Sequence, residues 1–342
     1  MSHPNQTSPQ TCAPGKVDVL SVLNPSKNWV DYRKDRFGGV LRKHGISHAC
    51  LTERSHAGLQ ETLRATEVRV LLSEVWQVTP DIMGPLADEF PATKFVSLWH
   101  GSPTHIENFS NWPAWNREFL RLSKTKPNCY YGHVMDAGRM PVPPEAKVVT
   151  ISNVAMLPRG VTPQNRKLPA KPHVLISGRN TFIKNITSQV YAAIYLNDLM
   201  PEGIVVHLMS DCPPADMWVH TEALDDHGIE WRYHKFDRWA SFMKWMSNTI
   251  DLSFCATLTE SFGLIAMESL LLGIPVMGSY AIEFIPDAWK ANPQHPAEMA
   301  GVAHRIFKDH GTLSLLAREI AEARCNENEM SLIRNVRGLL NT

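Results

Sequence analysis

The sequence is poor in cysteine, balanced in charge and without a long hydrophobic run, and each shortage removes a class of protein. Its six cysteines, Cys12, Cys50, Cys129, Cys212, Cys255 and Cys325, are scattered through 342 residues with no CxxC pair. That excludes a zinc-ribbon, haem-attachment or dithiol motif and points to reduced, mostly buried thiols in a cytoplasmic compartment, of a bacterium or of a phage-infected host. Lys+Arg and Asp+Glu both number 34, which argues against a dedicated basic nucleic-acid module though not against a local basic face. The most apolar run, Leu264 to Met277, is broken by Glu268 and Gly273 and is too short to span a bilayer. Residues 1–15 are polar and Pro-rich with no apolar h-region, so they read as a flexible tail rather than a leader. Among fifteen histidines HExxH is absent, and Gly45 interrupts the His44/His48 spacing, so no metal site is expected. No repeat of solenoid or propeller length is visible.

What is present is alternation. Short apolar runs that fit strands occur at Val17–Leu23, Ile46–Leu51, Val68–Val75, Lys94–His100, Asn128–Val134 and Lys147–Ile151. Helical patterns fit Asp31–His44, closed by Gly45, and Pro80–Phe90, while Asn108–Asn116 reads as a loop carrying two tryptophans. A Pro-rich basic stretch, 158–172, reads as an interdomain linker. The rhythm then restarts, with strands at His173–Ser177, Gly203–Ser210, Ile229–Phe236, Asp251–Ala256 and Pro275–Gly278. Helices fit Asn185–Leu199, Ala215–His227, Arg238–Asn248, Ser261–Leu272, Ala297–Asp309 and the stretch from Leu313 on. This is an α/β pattern of two doubly wound, Rossmann-like domains. The expected division is 16–157 for an N-terminal domain, 173–312 for a C-terminal one, and 313–342 as C-terminal helices packing back on the first. Ligands in such sheets sit beyond the carboxyl ends of strands, which draws attention to Asn24, Trp76, His100, Ser177–Arg179 and Thr257–Glu260.

The most informative segment is ESFGLIAMESLLLGIPV, from Glu260 to Val276. A strand ends, a short loop delivers Glu260, and a helix is expected to start near Ser261. The free amides of Phe262, Gly263 and Leu264 would then form an anion site, with Gly263 allowing close approach of a ligand to the backbone. Glu268 follows Glu260 by eight residues, roughly 80° around such a helix, so the two carboxylates would grip two hydroxyl-bearing parts of one extended ligand. The bland reading, a solvated Glu268, conflicts with the apolar neighbours Ile265, Met267, Leu270, Leu271 and Leu272.

This block resembles the E-x7-E motif of retaining GT-B glycosyltransferases of the family 4 type, down to the GxPV tail and an acidic residue, Glu283, beyond it. Gly178-Arg179 followed by Lys184-Asn185 is similar to that family's G-R and K-G/N elements. The resemblance implies a GT-B fold with two domains facing a central cleft. It implies sugar transfer, with retention, from a nucleoside diphosphate sugar, a UDP-sugar first, and no cofactor or metal beyond the donor. Arg179 and Lys184 would hold the diphosphate, Glu268 the ribose, and Glu260 the donor sugar, with Gly178, Ser261, Phe262, Gly263 and Leu264 lining the donor. Ser210 and Asp211 stand in a turn that is glycine-richer in the family. Across 17–153 the resemblance is architectural. Ile151-Ser152-Asn153 is similar to the "PN" element, and His100 to a strand-end histidine near the donor sugar. Gly38-Gly39 stands for the family's phosphate-side glycine loop or, alternatively, inside the first helix, with Lys34 and Arg36 nearby. His105, His133, Asp136 and Asp211 are lesser candidates.

The acceptor is open at this point. Residues 1–150 carry 17 basic against 14 acidic side chains, a bias that suits a polyanion. A phage-type DNA glycosyltransferase acting on hydroxymethylated bases is therefore an alternative, with Trp99, Trp112 and Trp115 as wedges for a flipped base. No basic amphipathic helix marks a lipid acceptor. A nucleotide-sugar epimerase and a non-catalytic sugar-nucleotide-binding protein are the readings outside transfer. The sequence does not set the oligomeric state.

Overall fold

The computed structural model describes residues 15–23, 36–100, 111–134, 142–163, 167–178, 181–210, 214–236 and 238–342. Within them the chain divides into two compact units. One runs to Val154 and takes back Asn328–Thr342; the other is Ala155–Glu327.

The first unit is a six-stranded, all-parallel sheet. Its elements are β1 (Lys16–Val22), α1 (Gly38–Lys43), β2 (His48–Leu51), α2 (His56–Ala65), β3 (Glu67–Glu74), α3 (Pro80–Glu89), β4 (Lys94–Trp99), α4 (Trp112–Thr125), β5 (Cys129–His133) and β6 (Val148–Thr150). The strand order is β2-β1-β3-β4-β5-β6. Parallel sheets are covered on both faces, so their strands are near-continuous apolar runs, as in Val68–Val75. Local signals set the helix ends. Ser55 accepts the Gly58 amide at the start of α2, and Gly45 (φ 76°) closes α1 in a left-handed turn. One expectation needs correction. The segment 112–116 is not loop but the first turn and more of α4, with Pro113 in the first turn, where its missing N–H costs no bond. Helix α2 stands between β2 and β3, where the strand-helix alternation calls for a helix.

The second unit holds β7 (His173–Ser177), α5 (Ile186–Leu199), β8 (Val205–Met209), α6 (Trp218–Asp226), β9 (Glu230–His234), α7 (Trp239–Thr249), β10 (Leu252–Cys255), α8 (Leu264–Leu271), β11 (Val276–Gly278), α9 (Pro296–Lys308) and the start of α10 (His310–Asn341). All five strands are parallel, in the order β11-β10-β7-β8-β9. Strand order reverses between β7 and β10, and the crevice beyond the carboxyl ends of such a pair is where doubly wound sheets bind ligands. The Pro-rich 158–172 stretch belongs to this unit: Leu157 and Val161 pack on its Phe242–Met246 cluster, and Leu168 on its main core. Helix α10 puts Ala317 and Ala321 into this core. Its end puts Leu332, Ile333, Val336 and Leu339, at helical spacing, into the core of the first unit. Because its apolar face changes along its length, no single stripe announces it.

One face of the second sheet carries three histidines in a line. His173 Nδ1 lies 2.7 Å from His207 Nε2, and His207 Nδ1 lies 2.8 Å from His234 Nε2, with the rings stacked 5.0 Å apart. Trp245 of α7 caps His207 and His234. Burial, together with the adjacent His173, His234 and Arg232, pushes His207 down to about 3, while Glu230 opposes it. Burial lowers His234 as well.

Among the described residues no helix is long and apolar enough to cross a membrane. Among the described cysteines, Cys129 and Cys255 are buried free thiols.

Candidate functional site

The second sheet's reversal point is built by two loops that hold each other. After β7 the chain turns at Gly178 (φ 157°), which lies beside the Lys184 stem. A 3-10 turn, Phe182–Lys184, then leads to Asn185, which adopts a left-handed conformation (φ 53°) at the start of α5. Few side chains tolerate that backbone, and asparagine is one of them. Asn185 Nδ2 donates to the Ala256 carbonyl at 3.0 Å and to the Pro293 carbonyl at 2.6 Å, and Gln189 Nε2 donates to the Lys184 carbonyl at 2.7 Å. The Leu258 amide donates to the Ile183 carbonyl at 2.9 Å. The Lys-Asn pair thus has a physical sense: the lysine needs a left-handed residue behind it, which glycine or asparagine supplies.

The loop after β10 brings Glu260 to this point. Lys184 Nζ lies 2.7 Å from Glu260 Oε2, and the pair is half-buried, the side chains 26% and 12% exposed. The Ser261 amide donates to Glu260 Oε1 at 3.0 Å. Beneath them burial, and secondarily the Glu260 charge, pushes the Cys255 thiol up to about 12, so Cys255 is an inert wall and not a nucleophile.

Helix α8 begins at Leu264, three residues later than the sequence suggested, because Gly263 takes a left-handed conformation (φ 79°) and ends the loop there. A side chain at 263 would also press on Ile282, 3.4 Å away. The amides at the helix start are therefore those of Leu264, Ile265 and Ala266 with Gly263, and not those of Phe262 onward. Phe262 instead packs its ring against Phe284, with centroids 5.5 Å apart. Glu260 lies outside the helix, so the 80° relation to Glu268 does not apply. Glu268 itself is on α8 and 2% exposed, and Trp239 Nε1 donates to its Oε1 at 2.7 Å. That partner is missed by sequence reading, because it depends on how α7 meets α8.

The structure thus brings Gly178, Lys184, Glu260, Ser261 and Gly263 to one strand-end region. Arg179 lies outside the described residues, as do Lys34, His105, Asp136 and Asp211. His100 and the two glycines belong to the first unit. His100 follows β4, its Nε2 3.2 Å from Glu74 Oε1 at the end of β3, and its ring is 6.0 Å from that of Trp76. Trp76 stacks on Trp112 with centroids 5.5 Å apart, while Trp99 is wholly buried among Trp112, Phe119 and Tyr131. Gly38 and Gly39 open helix α1, the second of the two placements the sequence allows; Gly38 is glycine because a Cβ would run into the His48 ring. Arg36 and His133 are buried. Ser152 and Asn153 are tied to the last helix, Ser152 Oγ donating to Ser331 Oγ at 3.0 Å and Asn328 Nδ2 to the Asn153 carbonyl at 2.9 Å. Among the described residues no group of three or more His, Cys, Asp or Glu side chains is placed to hold a metal ion.

No protein-family model matches this chain, and no curated protein matches it. Solved structures do. Sucrose-phosphate synthase of Thermosynechococcus elongatus superposes with a TM-score of 0.69 at 15% identity, over 96% of this chain and 99% of that one. HepE of Anabaena, solved with UDP-glucose, gives 0.67 at 15% identity over 95% and 99%. The pneumococcal O-GlcNAc transferase GtfA, solved with UDP and GlcNAc, gives 0.60 at 15% identity over 84% of this chain and 60% of its own. At this identity the likeness speaks to architecture, and on that it agrees with the two parallel sheets: the chain has the GT-B fold, two Rossmann-like units in one polypeptide.

Proposed function

We propose that this protein is a retaining glycosyltransferase that moves a sugar from a nucleoside diphosphate sugar, a UDP-sugar first, to an acceptor hydroxyl. The observation that carries this reading is the Lys184–Glu260 pair at the reversal point of the second sheet, beside a left-handed glycine that opens α8. A lysine and a set of helix-start amides suit a diphosphate; a neighbouring carboxylate suits sugar hydroxyls. The architecture shared with HepE, solved with UDP-glucose, and GtfA, solved with UDP and GlcNAc, supports it.

In this reading the diphosphate competes with Glu260 for Lys184. Binding draws the ammonium to the phosphates and releases Glu260 to the donor sugar. The bond between the anomeric carbon and the phosphate oxygen breaks, its electron pair going to the phosphate. Lys184, Arg179 and the amides at the start of α8 stabilise that charge as it grows. The acceptor oxygen bonds to the anomeric carbon on the face the phosphate leaves, and its proton passes to a phosphate oxygen. Glu260 faces the positive charge that develops on the sugar ring, and Glu268 receives the ribose hydroxyls. The test is sugar transfer, or slow donor hydrolysis without acceptor, from UDP-sugars. Lys184→Ala and Glu260→Ala should each lower it severely, and intact activity in both variants contradicts the reading.

A further inference from the structure

Glu268 is a carboxylate on a helix whose other buried residues are Ala266, Met267, Ser269 and Leu270. A buried carboxylate needs hydrogen-bond donors that fix it in one orientation. Trp239 supplies one from a different helix: it is the first residue of α7, and its indole N–H reaches Glu268 Oε1 at 2.7 Å. The indole ring is itself held, packing with Ile265 of α8 against the apolar cluster of Phe242, Met246, Leu272 and Ile274. An indole has a donor and no acceptor, so it orients a carboxylate without bringing a countercharge. A lysine or arginine in its place would bring one, and would compete with ligand hydroxyls for the same anion.

We propose that Trp239 is a positioning residue: it holds Glu268 in the orientation that receives the vicinal hydroxyls of a ribose, so that preference for a ribonucleotide belongs to the Trp239–Glu268 pair. This rests on the reading of Glu268 as the ribose-binding carboxylate. The part that is new is the role of the indole N–H in orienting that carboxylate.

The experiment is calorimetric titration of the full chain with UDP and with 2′,3′-dideoxy-UDP, for the unaltered protein, Glu268→Gln and Trp239→Phe. Phenylalanine keeps an aromatic ring in the apolar cluster and removes the N–H. Trp239→Phe should weaken UDP by about tenfold, the worth of one hydrogen bond to a charged group. Its affinity for dideoxy-UDP should not change, and in turnover the donor KM should rise with kcat nearly constant. Equal weakening of both nucleotides would show that Trp239 only supports the fold and overturns the proposal, as would unchanged UDP affinity. A second readout needs no variant: the Trp239 indole N–H resonance of the unaltered protein should shift with UDP and not with dideoxy-UDP, and the same response to both overturns the proposal. If Glu268→Gln weakens both nucleotides alike, or UDP does not bind the unaltered protein, the underlying reading of Glu268 fails and the Trp239 proposal with it. If Glu268→Gln discriminates and Trp239→Phe does not, Trp239 alone is wrong.

Discussion

Each sheet ends its central strands on a hydrogen-bonded pair with a carboxylate, and the two pairs differ in kind. In the second unit the partner of Glu260 is Lys184; in the first the partner of Glu74 is His100. A lysine ammonium is a compact point charge at neutral pH, suited to phosphate, whereas an imidazole oriented by a carboxylate suits a hydroxyl. The surroundings differ in the same sense. The lysine pair stands beside a helix start and two left-handed residues, Asn185 and Gly263. The histidine pair stands beside stacked tryptophans, Trp76 and Trp112. In the proposed reading the second unit is suited to an anion and the first to a hydroxyl-bearing molecule. The proposal that donor recognition belongs to the second unit follows from that contrast.

The contrast can be broken most severely at Lys184. Lys184→Ala should lower transfer by about a thousandfold, the order seen when one preorganised donor to a developing oxyanion is removed, as measured by kcat at saturating donor. His100→Ala should lower transfer as well while leaving UDP affinity within about twofold; equal losses of UDP affinity in the two variants would erase the distinction between the units.

Acid sharpens the comparison from another side. His207 takes up a proton near 6.5 when unfolded but only at about 3 when folded. Stability is therefore full above pH 6.5 and falls as pH drops through the window toward 3, by about 1.4 kcal/mol per pH unit for this one group. The groups around it are His173, His234, Arg232 and Glu230, with Lys171 paired to Glu230. The buried faces of this ladder belong wholly to the second unit, so urea melts between pH 7 and 5 should destabilise that unit first. His207→Gln should flatten the slope, and an unchanged slope would remove the ladder as its cause.

Asn185 offers a smaller test. Asn185→Ala loses two side-chain hydrogen bonds and places a methyl-bearing residue in a left-handed backbone, for about 2–3 kcal/mol in all. Asn185→Gly should recover the backbone part, leaving about 1 kcal/mol, as read from urea midpoints. If alanine and glycine cost the same, the left-handed turn is not what asparagine is there for. The smallest effect belongs to the first unit. Tyr131 Oη donates to Asn116 Oδ1 at 2.7 Å, and Tyr131→Phe should cost about 1 kcal/mol of stability with no change in UDP affinity.

The fold was highly legible. Every strand run read from the sequence overlaps a strand of the structure, the buried ones because parallel strands covered on both faces are rich in apolar residues. What failed were starts. The sequence places a helix start near Ser261, and the left-handed Gly263 puts it at Leu264. The NWP segment reads as loop by composition, yet proline is at home in a first helical turn. In the candidate site, Lys184 and Glu260 were each legible as residues at strand ends, but the ion pair between them was not. Trp239 was not, since the packing of α7 on α8 leaves no trace in spacing. The histidine ladder was hidden for a like reason: its members lie in three strands, and only their register lines them up.

The most direct test of the division between the units is calorimetric titration of UDP into the full chain, its Lys184→Ala variant and its His100→Ala variant under one buffer condition. The account predicts binding that Lys184→Ala weakens by about a hundredfold and that His100→Ala leaves within about twofold. UDP binding that survives the loss of Lys184, or that depends on His100 to the same degree, would contradict it.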